Sequence, residues 1–297
     1  MEKRALRTLS RKAGCALLAV CALQLAASFA ALRLQRRLDA GGGLWFHLLA
    51  VLSGMTVLTG ALLGRELLAG DIPKHGRPPL RPMEGPALAA AGAALCMAAN
   101  FAAVLVEAIA GRAGIEFHGG PEQIVPQSAP GLLLMLLTVG VLPAITEEWL
   151  LRGVILPPLR RFGDGFAVVC AAALFALLHQ NMEQAPMAFV SGLALGWVYV
   201  RGGGRLAIPM LVHCWNNAAA VALSLLPDRA ANIYALVLFI LGVLSLGYLY
   251  LCRPEVKKPV CEMPAGRRAL HFFFGSAAMA VSLLFFVVVI LLNTQVG

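Results

Sequence analysis

Charge is scarce in this chain. Only 13% of its 297 residues are Asp, Glu, Lys or Arg, against 60% hydrophobic. A soluble domain carries about a quarter charged residues, so a water-soluble globular enzyme is excluded at the outset. Disorder is excluded too, because a chain this apolar buries itself. Cysteine patterning is also missing: seven cysteines stand in the sequence with no CxxC pair. That argues against a disulfide framework and a structural zinc finger, and a thiol inside an apolar run acts as a small hydrophobe. The surplus of positive charge, 24 Lys and Arg over 15 Asp and Glu, would suggest nucleic acid in a soluble protein. Its placement excludes that reading here.

What is present is hydrophobic length. Mean hydropathy is +0.80, and nine apolar segments can each cross a hydrocarbon layer of about 30 Å. They run over 13–32, 44–64, 86–110, 131–156, 166–180, 186–200, 206–226, 231–251 and 270–292. Each must satisfy its backbone polar groups internally, so helices are expected. The fifth and sixth are short and are expected to form a tilted or partly re-entrant pair. The fold class is an all-α polytopic membrane protein of eight to nine transmembrane helices. The first segment follows Lys3, Arg4, Arg7, Arg11 and Lys12. Its apolar run exceeds the core of a secretory signal, about 7–15 residues, so it is expected to be a retained anchor. Nineteen of the 24 Lys and Arg fall in the N-terminus and in 65–85, 152–165, 201–205 and 252–269; five fall in the alternate segments. By the positive-inside rule the N-terminus is expected in the cytoplasm. The Ala/Leu-rich composition suggests a bacterial inner membrane. Loops divide the chain into an N-terminal three-helix region (1–125), a polar-marked core (130–226) and a C-terminal two-helix region (227–297).

Ionisable groups deep in a bilayer cost from about 2.5 kcal/mol upward, so each is a functional candidate. They concentrate between 147 and 217. In Glu147-Glu148-Trp149-Leu150-Leu151-Arg152, the second carboxylate and the arginine are i,i+4 and share a face. Glu147 is turned away by ~100°. In Phe175-Ala176-Leu177-Leu178-His179, the phenyl ring lies on the face of the imidazole. In His213-Cys214-Trp215-Asn216-Asn217, His213 and Asn217 are again i,i+4. Each cluster alone has a packing explanation, but three on successive helices can converge on one cavity. Gly192 and Gly196 form a GxxxG face for close helix approach. Glu107 is read as interfacial, and His47, His75, His118 and His271 are given no role.

The ordered motifs Glu147-Glu148-x-x-x-Arg152, Phe175-x-x-x-His179 and His213-x-x-x-Asn217 resemble those of the CPBP family, the CAAX proteases and bacteriocin-processing enzymes also called Abi. The likeness covers roughly 130–226, including Gly192, Gly196 and Tyr199. The resemblance implies a CAAX-protease-like core and an intramembrane endopeptidase acting on membrane-associated or lipidated peptides. By position, Glu147 would be the base that activates water, assisted by His179, and His213 with Asn217 would form the oxyanion hole. Glu148 and Arg152 would hold the helix and orient the site, with Phe175 bracing His179. No cofactor is favoured. A zinc-dependent version, with Glu147, His179 and His213 as ligands, is the nearest competitor, although no HExxH helix is present. Readings from other classes are a proton-coupled transporter and a non-catalytic membrane scaffold. The partners implied are a peptide or membrane-protein substrate and the lipid bilayer, and no nucleic acid. Oligomeric state is not legible.

Overall fold

The computed structural model describes residues 2–38, 43–72, 79–117, 128–252, 266, 268–292 and 294–296; His75, His118 and Cys261 lie outside them. The described residues form nine helical passes. These are α1 (Glu2–Leu38), α2 (Gly43–Leu68), α3 (Glu84–Arg112), α4 (Ala129–Phe162), α5 (Asp164–Leu178), α6 (Ala185–Arg201), α7 (Ala207–Leu223), α8 (Asp228–Leu251) and a last pass split into α9 (Ala269–Phe274) and α10 (Ala277–Leu292). Five of them, α1 to α4 and α8, are long and apolar enough to cross a membrane by length and composition, and α5, α6, α7 and α10 are shorter apolar helices. The chain is an all-α polytopic membrane protein, with one small addition. Strand β1 (Ile115–Phe117) pairs antiparallel with β2 (Thr294–Val296). That pairing brings the end of α3 next to the end of α10.

Two segment limits differ from the sequence reading. The fourth apolar segment, read as 131–156, runs on to Phe162. The chain absorbs the prolines in two widened π-turns, Leu136–Val141 and Trp149–Ile155, each just ahead of a proline. A proline ring clashes with the carbonyl four residues earlier and offers that carbonyl no N–H; widening the preceding turn relieves the clash. The last apolar segment, read as one helix, is broken instead at Gly275-Ser276. Ser276 accepts the N–H of Met279 and so caps α10.

α4 is the centre of the molecule. α2 lies along both of its π-turns, α1 packs on α2, and α10 packs on α1. On the other side α7 lies against the first π-turn, α5 and α6 form a tight pair, and α3 packs on α6, α7 and α8. Small residues set these approaches. A side chain at Gly14 would meet the backbone of Ala278 and Met279 on α10, and one at Gly192 would meet the backbone of Ala172 on α5. Gly196 likewise faces Val168, so the GxxxG face is turned to α5. Close packing of small residues is how membrane helices associate when lipid is as apolar as they are. The outer surface is inverted relative to a soluble protein: Leu236, Phe239, Val243, Leu244 and Leu251 of α8 are all exposed, as lipid-facing side chains are.

Because the α5–α6 contact leaves no room at Gly192, Gly192→Leu is expected to lower stability by about 1–3 kcal/mol. Gly247→Leu, at a position with nothing within 4 Å, is expected to be silent. Thermal unfolding of the purified protein in detergent reads both; equal midpoints would refute the packing role.

Candidate active site

Depth is set by α4 and α5 together. They meet at Gly163, whose φ of 119° reverses the chain. Glu147 stands sixteen residues before that turn and His179 sixteen after it, so both lie about 24 Å along their helices at 1.5 Å per residue. α5 ends there, with His179 as its C-cap. Fifteen residues cover only about 22 Å, less than the hydrocarbon thickness, and α5 is one of the shorter apolar helices. The irregular turn that follows is satisfied by protein. Asn181 donates Nδ2–H to the His179 carbonyl at 3.0 Å and its Oδ1 accepts the Gln184 N–H at 2.7 Å.

His213 reaches the same level by a different route. Counted from the start of α7 it seemed only about 10 Å deep. However, α7 does not start at the level of Gly163. Leu206, just before it, lies against Gly153 of α4, ten residues before the α4–α5 turn. Seven further residues carry His213 to the depth of Glu147.

The arrangement is built outward from a buried ion pair. Arg152 Nη1 donates to Glu148 Oε1 at 2.8 Å, and both side chains have no exposure. Arg152 Nη2 donates to the Gly192 carbonyl of α6 at 2.9 Å, and its guanidinium lies 4.9 Å from the centre of the Phe175 ring on α5. The same Glu148 oxygen accepts from His213 Nδ1 at 3.1 Å. One arginine and one carboxylate thus tie together α4, α5, α6 and α7. The Glu148–Arg152 pair was legible in the sequence. The link from Glu148 to His213 was not, since nothing local tells which face of α7 meets α4.

That link fixes the ring. With Nδ1–H on the carboxylate, Nε2 is aimed the other way, and Glu147 Oε2 lies 3.9 Å from it. This is longer than a direct hydrogen bond and close enough for one small polar atom to touch both. Glu147 is the more open carboxylate, with 19% of its side chain exposed. His179 is fixed as well: its Nδ1 lies 2.9 Å from the Phe175 carbonyl. A carbonyl only accepts, so Nδ1 carries the proton and Nε2 keeps its lone pair. The Phe175 ring stands edge-on to both imidazoles, 4.8 Å from His179 and 5.6 Å from His213 between centroids.

Asn217 is also engaged. Its Nδ2 donates to the Val139 carbonyl at 3.2 Å. In an α-helix that carbonyl would bond to residue 143, which is proline and has no N–H. Asn217 Nδ2 also reaches the Gly140 carbonyl at 3.5 Å, so the amide is held against the first π-turn just where Pro143 offers no N–H. Asn100 and Glu107 on α3 are exposed and turned away from this cluster. His47, given no role in the sequence, is buried near the start of α2, and its Nδ1 lies 2.8 Å from the Thr138 hydroxyl in the first π-turn. Among the described residues, no group of three or more His, Cys, Asp or Glu side chains is placed to hold a metal ion.

Residues 129–219 match the family model of type II CAAX prenyl endopeptidases, described as Rce1-like. This is the CPBP family that the three motifs resemble, and the match covers the segment that carries them all. No significant match to a curated protein or to a solved structure accompanies it. The match supports a CAAX-type membrane protease, which acts on membrane-associated substrates within the bilayer.

Removing Arg152 would leave Glu148 charged and unpaired in a dry interior. Arg152→Met is expected to cost about 3–5 kcal/mol. The double variant Glu148→Gln/Arg152→Met is expected to recover part of that loss, because no lone charge remains. A thermal-unfolding cycle of the single and double variants measures the coupling; additive losses would show that the pair does not hold the helices.

Proposed function

We propose that the protein is an intramembrane endopeptidase in which Glu147 is the general base for a hydrolytic water. The observation that carries this reading is the opposed placement of Glu147 Oε2 and His213 Nε2, 3.9 Å apart, at a depth where an unpaired carboxylate is otherwise costly. Amide hydrolysis needs an activated water and donors aimed at the developing oxyanion. Glu147 takes a proton from water as the hydroxide attacks the scissile carbonyl, then passes that proton to the leaving amine. The His179 Nε2 lone pair accepts the water's second hydrogen and fixes its orientation. The oxyanion faces His213 and the Asn217 amide, which turns an N–H from the Gly140 carbonyl, 3.5 Å away, to the substrate. For His213 to donate through Nε2 it must carry a proton on both nitrogens, since Nδ1–H already serves Glu148. Glu148 and Arg152 are positioning residues, and Phe175 holds both rings.

The substrate is proposed to be a membrane-associated or lipidated peptide, in keeping with the family's description as prenyl endopeptidases. A cytoplasmic N-terminus, supported by the charge distribution, and a bacterial inner membrane, suggested by the Ala/Leu-rich composition, are part of the proposal. The zinc-dependent alternative would need Glu147, His179 and His213 to converge as ligands, and chelation separates it from the glutamate mechanism. Transporter and scaffold readings have no comparable geometric support.

Glu147→Gln keeps the shape and removes the base. It is expected to reduce peptide cleavage by about 10²–10⁴-fold while leaving thermal stability near wild type. Peptidomics of membranes carrying wild type or the variant reads both the activity and the substrate class; identical peptide profiles would overturn the proposal. Wild-type activity that disappears on exhaustive chelation and returns with zinc would overturn the metal-free mechanism while keeping the protease.

A further inference from the structure

A second polar feature lies far from these residues, at the basic end of α1. That helix is 37 residues long, about 55 Å at 1.5 Å per residue, and so overruns the hydrocarbon layer. Its first turns carry Lys3, Arg4, Arg7 and Arg11, all exposed. These four, with Thr8, line a cleft of ≈ 740 Å³ whose opposite wall is Gly275 and Ser276, the break between α9 and α10. On the α1 wall the cleft lies where the basic turns give way to the apolar run after Lys12, and on the other wall it lies at a break inside an apolar run, between ALHFFF and AAMAVSLL. Ser10 donates to Ser276 across the helix pair at 2.7 Å. Beyond that bond α10 runs without a charged residue from Ala277 to Leu292. On the polar side Phe272 gathers two of the cations: Lys3 Nζ is 5.5 Å and Arg7 Cζ 5.7 Å from its ring centre.

The charge there is uncompensated. Nearby basic residues of the same face find carboxylates: Lys12 pairs with Asp71 at 2.5 Å, Arg161 also reaches Asp71, and Arg160 pairs with Asp164 at 2.6 Å. Among the described residues, Lys3, Arg4, Arg7 and Arg11 have no carboxylate within 4 Å. Four like charges lining one cleft repel, and holding two of them over one ring increases that repulsion. A single anion with several acceptor oxygens relieves it, and guanidinium groups suit phosphate geometry. Ser276, whose oxygen accepts from Ser10 and from the Met279 N–H, adds its own O–H for a remaining oxygen, while the Thr8 hydroxyl donates to the Arg4 carbonyl at 3.0 Å.

We propose that this cleft binds the phosphoryl headgroup of an anionic phospholipid, whose acyl chains run down beside the apolar length of α10. The chemistry recognised is a phosphate bearing net negative charge. A lipid is the assigned source because one cleft wall is the break in an apolar, uncharged run and the basic turns of α1 lead directly into its apolar length. Basic pockets between membrane helices on the positively flanked side are suited to such headgroups. The site is independent of Glu147 and of the reaction assigned to it.

The test uses the full-length purified protein in a neutral detergent. Dioleoyl phosphatidylglycerol, dioleoyl phosphatidylcholine and inorganic phosphate are titrated separately and read by native mass spectrometry. Wild type is expected to retain one phosphatidylglycerol at least about tenfold more tightly than phosphatidylcholine. Arg4→Gln/Arg7→Gln/Arg11→Gln is expected to lose that preference. The charge-matched control Arg33→Gln/Arg36→Gln/Arg37→Gln, at the other end of α1, is expected to keep it. Should the triple variant fail to fold, Arg11→Gln alone is expected to weaken retention and Arg11→Lys to restore most of it. Equal retention of the two lipids, equal loss in the control, or competition by inorganic phosphate at the lipid's own concentration would each overturn the proposal.

Discussion

The structure depends on burying one guanidinium and one carboxylate inside four packed helices. Neither Glu148 nor Arg152 has any contact with solvent or lipid, and each alone would be intolerable there. Together they do more than neutralise each other. Arg152 spends its second amino group on a backbone carbonyl of α6, and Glu148 spends its shared oxygen on the imidazole of α7. The ion pair therefore acts as a fixed node around which the more open Glu147 and the two histidines are arranged. Its satisfaction is incomplete among the described residues: Glu148 Oε2 and Arg152 Nε have no partner. In a low-dielectric interior such a node is rigid only while both members stay in place.

The π-turns have a related effect. A regular helix from 129 to 162 would collide with its own prolines. The widened turns let α4 pass both and shift the side chains that follow out of simple i,i+4 register. Cross-helix donors then compensate for the broken ladder, as Asn217 does at Val139. The residue that the family likeness nominates as an oxyanion donor thus also serves the backbone. A fault at Pro143 or at Asn217 is felt by the other.

Much of this was legible in the sequence, for identifiable reasons. Apolar length and loop charge gave the passes because the bilayer enforces both. The Glu148–Arg152 pair was legible because i,i+4 is a local relation. What escaped was non-local. The burial of His47 against Thr138, the sharing of Glu148 by His213 and the inward start of α7 depend on which helix faces touch, and a single sequence does not encode that locally. The assumption that every helix begins at the membrane surface made His213 look too shallow. The break at Gly275-Ser276 passed unnoticed because one glycine and one serine barely interrupt an apolar run.

The equal distances of Glu147 and His179 from Gly163 have an evolutionary corollary. Inserting one residue in either arm of that hairpin would lift one partner by about 1.5 Å and swing it round by ~100°. Lengths of the two arms are therefore locked to each other, and related chains should vary freely in their loops and outer helices while keeping this spacing unchanged. Divergence has room at the periphery of the fold, and almost none between the first glutamate and the first histidine.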